Sequence, residues 1–159
     1  MNGWLNLLAY QLAWFLAVLG ASPYWLLAIL ALHLLFSPRR QADARLMVGF
    51  LLIGLIVDGG LGAAGLLQFH QQHYVIPLWL MGLWAALAML PNHSLAWLKY
   101  RPGLSALLGA IAGPLAYGAG VRLGAADFGW PLYQSLAMLA LLWALLTPTL
   151  MLLSRRWQP

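Results

Sequence analysis

The chain has no cysteine, and its only acids are three aspartates. The missing cysteine excludes disulfides, thiolate chemistry, iron–sulfur ligation by Cys and Cys-containing zinc sites, and it leaves the redox compartment open. Charge is scarce too: 7% of 159 residues, against roughly 25% in soluble domains. Eight basic and three acidic residues cannot cover the surface of a soluble domain of this size. With 64% hydrophobic residues and a mean hydropathy of +0.83, the chain is not an ordinary soluble protein, a disordered chain or a disulfide scaffold. A small all-α polytopic transmembrane bundle remains. There is no long basic tract, basic amphipathic helix or base-stacking motif, so nucleic acid is not an expected partner. A crossing takes roughly 20 residues, so five or six crossings use up the chain. Function must then lie within the membrane or on short loops.

Apolar runs predict a single integral membrane domain, 1–159, with segments at about 4–19, 24–36, 46–67, 75–98, 104–121 and 132–153. Gly20-Ala21-Ser22-Pro23 reads as a turn, with Ser22 as N-cap and Pro23 at the first helical position. That favours six short helices; one kinked helix over 4–36 would make five. No Lys or Arg precedes the first apolar run, and more apolar sequence follows residues 19–22, so the first segment reads as retained rather than cleaved. Arg39, Arg40, Arg45, Lys99, Arg101, Arg155 and Arg156 fall on one side of this topology, and only Arg122 on the other. By the positive-inside rule the C-terminus and, with two crossings in 4–36, the N-terminus are cytoplasmic. Trp4, Trp97, Tyr100 and Trp157 mark the inner interface, and Tyr74, Trp79, Trp130 and Tyr133 the outer one. No internal repeat is evident, so an inverted-repeat transporter has no support.

Asp58 is the sharpest candidate. It lies about 18 Å into the third segment, where an ionised carboxylate costs roughly 3 kcal/mol. It must have a partner or a raised pKa, and reads as a catalytic acid, proton site or helix-orienting hydrogen bond. Tyr117, at similar depth on the fifth segment, is its best partner. Asn92-His93-Ser94 follows Pro91, which should kink the fourth segment. His93 and Asn92 join Asp58 as candidate catalytic residues, with His93 as base or relay and Trp97 four residues on. Asp58 and His93 differ by about 10 Å in depth, so direct contact is not expected and no Ser-His-Asp triad is claimed. Gln11, with Trp14 beside it, and His33 point to the same inner-leaflet region; with Ser94, Trp97 and Tyr117 they complete a candidate polar pocket. Gly109 with Gly113, and Gly120 with Gly124, form small-residue faces suited to close helix contact. Thr147 and Thr149 flank Pro148 and should satisfy backbone groups there. His70 and His73 read as a solvated loop, since zinc needs three or four ligands; no metal site or cofactor is expected. No nucleotide-binding, lipobox or zinc-protease motif occurs.

The opening Leu-Asn-Leu-Leu-Ala-Tyr-Gln-Leu-Ala-Trp-Phe, the Asp58 segment, Asn92-His93-Ser94-Leu95-Ala96-Trp97 and Gly113-Pro114-Leu115-Ala116-Tyr117 resemble the DUF2878 family over essentially the whole chain. The resemblance implies a small protein of the bacterial inner membrane without an assigned reaction, and marks Gln11, Trp14, Asp58, Asn92, His93, Ser94, Trp97 and Tyr117 as motif residues. It also implies a setting near modified fatty-acid synthesis, hence a role around membrane lipids. Three functions stay open, with enzymatic activity undecided. The first is binding or acting on a lipid through the inner-leaflet pocket. The second is a small oligomeric carrier with Asp58 as proton-coupling site. The third is a non-catalytic scaffold for another membrane protein. A tetrapyrrole or sterol binder is a minor comparison. Expected partners are membrane lipids, a second copy or another membrane protein.

Overall fold

The computed structural model describes residues 2–20, 23–70 and 75–157; the Ser22 cap and Gln71, Gln72, His73 and Tyr74 lie outside the described residues. Helices α1 (Gly3–Val18) and α2 (Pro23–Phe36) are separate. Gly20 follows α1 with a φ of +75°, the left-handed conformation that ends many helices. Among the described residues there are therefore six α-helices, not five.

Helix α3 (Arg40–Ala63) starts before the apolar run does. The Arg39 N–H bonds the Ser37 hydroxyl oxygen at 3.0 Å, which shapes the turn. Asp43 then falls in the first helical turn, where the helix dipole favours an anion. Asp43, Leu46, Met47, Phe50, Gly54 and Asp58 form one buried stripe at spacings of three and four.

The fourth segment is not a long kinked helix. Helix α4 (Leu78–Leu87) stops four residues before Pro91, whose ring would clash with the Leu87 carbonyl in a continued helix. Tight turns follow, with Met89 N–H on Ala86 O at 3.0 Å and His93 N–H on Leu90 O at 3.0 Å. They lead into a 3-10 turn, Ala96–Tyr100. Helices α5 (Pro102–Arg122) and α6 (Leu132–Arg156) complete the fold.

Helices α3, α5 and α6 are long and apolar enough to cross a membrane. Helices α1, α2 and α4, with 16, 14 and 10 residues, reach only about 24, 21 and 15 Å, short of a roughly 30 Å hydrocarbon core. The chain is an all-α membrane protein with three full-length and three short helices. At one end the Arg155 guanidinium lies 4.8 Å from the Tyr100 ring centre, and Arg39 donates to the Asn92 carbonyl; this is the basic end. At the other end β1 (Leu67–Phe69) pairs antiparallel with β2 (Ala126–Phe128).

The bundle contains two strand-linked helical hairpins that share several local features. The units α3–β1–α4 and α5–β2–α6 follow the same order of elements, although α4 has 10 residues and α6 has 25. Each first helix leads to a glycine in the left-handed region, Gly65 (φ +72°) or Gly124 (φ +80°). A three-residue strand follows, then a proline, Pro77 or Pro131, just before the next helix. The strand register, Leu67 to Phe128, Gln68 to Asp127 and Phe69 to Ala126, is that of a twofold relation. In the first helices and the strands residues 59 apart correspond, so Gly54 matches Gly113; the second helices begin 54 apart, and Trp84 and Trp143 are alike in that each packs on one of these glycines. Asp58 corresponds to Tyr117 on the same count. The two indoles stack on each other at 5.6 Å and 15°. Only glycine allows the close approach at Gly54, Gly109 and Gly113, since a Cβ there would overlap Trp84, Trp143 or Thr147. Gly120 and Gly124, expected to form a similar face, have open space where a Cβ would sit. Beside Pro148, the Thr147 and Thr149 hydroxyls bond Trp143 O and Leu145 O, each at 2.8 Å.

Candidate functional site

The break after α4 leaves backbone groups without helical partners, and in a membrane protein other protein groups must satisfy them. Asn6 of α1 does much of this. Its Nδ2 donates to Met89 O at 3.0 Å, and its Oδ1 accepts from the Ser94 hydroxyl at 2.7 Å and the Ser94 N–H at 3.3 Å. Arg39 Nη1 donates to Asn92 O at 3.2 Å. The irregular segment is thereby held against the starts of α1 and α3, with Asn92 and His93 turned toward Asp43.

Asp43 is the hub. Its Oδ2 lies 3.0 Å from His33 Nε2, 2.8 Å from His93 Nε2 and 2.5 Å from the Ser37 hydroxyl. Its Oδ1 accepts from Asn92 Nδ2 at 2.7 Å. The His33 and His93 rings meet edge to face, 5.0 Å apart at 88°. Behind them Lys99 Nζ donates to Asn92 Oδ1 at 2.6 Å. Burial, followed by the nearby Arg39 charge, pushes the Lys99 ammonium down to about 8, while Asp43 pulls it up. Ser37 approaches the same nitrogen of His93 as Asp43 does, at 3.3 Å. A relay triad needs opposite ring nitrogens, so this is not an activated nucleophile. The cluster can hold a proton or a cation among two imidazoles and a carboxylate.

Asp58 forms a second centre, fifteen residues along α3 from Asp43 and so about 22 Å away. The Tyr117 hydroxyl donates to its Oδ1 and Trp84 Nε1 donates to its Oδ2, both at 2.6 Å. The Tyr117 pairing is the one depth arithmetic pointed to. Asp58 is fully buried and both its oxygens are engaged. That is the arrangement of a tie between helices.

The structure divides the expected pocket. His33, Asn92, His93 and Ser94 come together at the basic end, while Asp58 and Tyr117 stand apart. Gln11 is exposed on α1, and Trp14 is buried edge to face against Phe15 at 5.2 Å. Trp97 is 48% exposed with the Arg101 guanidinium 5.8 Å from its ring centre, so the face it was expected to share with His93 does not form. Asp43, Ser37, Asn6, Lys99 and Trp84 were missed. For Asp43 the signal was its phase with Leu46, Phe50 and Asp58.

At the strand end His70 Nε2 lies 2.6 Å from Asp127 Oδ2, and its Nδ1 lies 3.1 Å from Gly124 O. The Asp127 hydrogen bond and charge raise the His70 pKa above its ordinary 6.5. With a raised folded-state pKa, the clamp's contribution is fully present below about pH 6.5 and is lost as pH rises through that folded value. The NMR titration midpoint of His70 is expected above that of a free imidazole, and Asp127→Asn is expected to lower it. An unchanged midpoint in that variant would contradict the clamp.

The family profile described as a protein of unknown function (DUF2878) matches residues 3–149, and the chain belongs to that family. No curated protein and no solved structure matches the chain.

Proposed function

We propose that this DUF2878 protein binds an anionic lipid headgroup at its basic end, with that end in the cytoplasmic leaflet of a bacterial inner membrane. The supporting observation is a cavity of about 230 Å³ lined by Pro38, Arg39, Arg40, Gln41, Ala42, Arg45 and Trp157. Guanidinium groups bind phosphate oxygens with planar, paired hydrogen bonds. Trp157 brings the indole typical of a membrane interface. Leu35, Phe36 and Val48, close in sequence to this lining, are exposed apolar groups suited to acyl chains. Arg39 also reaches the Asn92 carbonyl, which connects this cavity to the Asp43 cluster. The one-sided distribution of Lys and Arg supports the orientation. A proton-coupled carrier centred on Asp58 has less support, because both carboxylate oxygens are already engaged.

The test is lipid retention by the full chain. Nanodiscs containing equal phosphatidylglycerol and phosphatidylcholine are extracted gently, and retained lipid is read by native mass spectrometry. Phosphatidylglycerol is expected to dominate, and the double variant Arg40→Gln/Arg45→Gln is expected to lose that preference. Equal retention of both lipids by the wild type, or an unchanged preference in the variant, overturns the reading. Binding of inorganic phosphate without any lipid preference would assign the cavity to free phosphate instead.

A further inference from the structure

We infer that His33, Asp43 and His93 form a binding site for a transition metal ion, with zinc the best match. The site goes beyond the lipid reading and stands without it, since none of these three residues lines the arginine cavity.

Geometry comes first. One ligand atom from each residue lies within 4.8 Å of the other two. The two imidazole nitrogens sit 3.0 and 2.8 Å from the same carboxylate oxygen. Zinc bonds of about 2.0–2.1 Å in a tetrahedron place ligand atoms roughly 3.3 Å apart. Those two edges need shifts of only a few tenths of an ångström, whereas the imidazole nitrogens, up to 4.8 Å apart, must close by about 1.5 Å to seat the ion. The rings meet at 88°, so the nitrogens converge on Asp43 from different directions.

The hydrogen-bond arithmetic points the same way. Without an ion, His33, His93 and Ser37 all address Asp43 Oδ2, while Oδ1 takes only Asn92. A carboxylate oxygen offers about two lone-pair positions. Three donors on one oxygen and one donor on the other is a lopsided load. An ion bound by both Nε2 atoms and Oδ2 replaces the two N–H donors and removes the crowding. Asn92 then acts as an outer partner that fixes the carboxylate with Oδ2 toward the imidazoles. The Ser37 hydroxyl is placed to bind the ion itself or to hold a water in the fourth position. His33 is buried, and its Nδ1 has no hydrogen-bond partner, a position that coordination through Nε2 does not fill.

Ligand type selects the metal. Two imidazoles and one carboxylate suit zinc and its first-row neighbours, whereas magnesium and calcium require mostly oxygen. The side chains of His33, Asp43 and His93 are 1%, 0% and 5% exposed, so little water competes for the ion. Lys99 and Arg39 are the nearby positive charges; Lys99 Nζ bonds the Asn92 side-chain oxygen Oδ1 and Arg39 the Asn92 backbone carbonyl, neither of them the carboxylate. Sequence spacing hides the set, because the ligands are ten and fifty residues apart and come from α2, α3 and the break after α4.

The full chain, purified in detergent and stripped with a chelator, is titrated with zinc against a chromophoric competitor. One ion per chain is expected to bind. His33→Ala and His93→Ala are each expected to weaken binding by at least about a hundredfold. His70→Ala, which changes an exposed histidine, is expected to leave affinity unchanged. Cobalt(II) should give the intense visible bands of a tetrahedral site in the wild type and lose them in His93→Ala. X-ray absorption of the zinc-loaded wild type needs no variant to fold, and two imidazoles with an oxygen ligand are expected. Absence of saturable binding, equal loss in His70→Ala, or an absorption spectrum without imidazole scattering overturns the site.

Discussion

Asp43→Ala is expected to destabilise the fold by about 3–5 kcal/mol, the range for breaking a buried charged network by removing one partner. The loss is large because the four groups that address Asp43, His33, Ser37, Asn92 and His93, all lose their acceptor. Each buried group left without a partner costs about 1–3 kcal/mol before relaxation. Lys99 suffers as well, since its partner Asn92 is held in place by Asp43. The measurement is thermal unfolding in detergent followed by helical circular dichroism. Asp127→Ala serves as reference: its partnership with His70 is exposed, and substitutions of that kind stay within about 0.5 kcal/mol. Similar losses in the two variants would show that the cluster carries no structural weight.

Asp58→Ala is expected to cost about 2–4 kcal/mol, because Trp84 Nε1 and the Tyr117 hydroxyl lose their acceptor inside the bundle. A double-mutant cycle separates the tie from simple cavity formation. Tyr117→Phe alone removes one donor, and with Asp58→Ala already in place it has little left to remove. A coupling of at least about 1 kcal/mol between the two positions is therefore expected. Strictly additive losses would mean that the hydrogen bond contributes nothing across the helices. Asp58→Asn is expected to fall between wild type and alanine, since its carbonyl satisfies one donor while its amide nitrogen faces the other.

Depth was legible in the sequence, and rotation was not. Counting 1.5 Å per residue from the charged loops placed Asp58 level with Tyr117 and His33 near His93, and the structure joins both pairs. Helices bathed in lipid are apolar all round, so periodicity does not say which side faces inward. Gln11 was accordingly expected inside and lies outside. Asp43 was overlooked for a different reason. A charge beside Arg39, Arg40 and Arg45 reads as loop, yet α3 begins at Arg40 and turns that carboxylate into the core. Pro91 is a proper break signal, but its neighbours are so apolar that a kinked helix looked as good as the tight turns that form. The likeness of the two hairpins escaped notice because few corresponding positions are identical, and glycines such as Gly54 with Gly113 and Gly65 with Gly124 read as ordinary packing. The stretch from Gly65 to Pro77 is also longer than that from Gly124 to Pro131, which puts the two halves out of step.

The twofold arrangement of the hairpins gives one chain the internal anatomy of a heterodimer. Identical partners facing across such an axis would present aspartate to aspartate or tyrosine to tyrosine at positions 58 and 117. Two carboxylates would repel, and two phenols could not reproduce a bond to a carboxylate. Only unequal halves can put an acceptor opposite a donor there, as this chain does. The inequality extends to the basic end, where the position corresponding to Asp43 is Pro102, which has no carboxylate to offer. Helices α1 and α2 supply Asn6 and His33 to the first half alone. The shared scaffold therefore has one half that carries the Asp43 cluster and one half that lacks it.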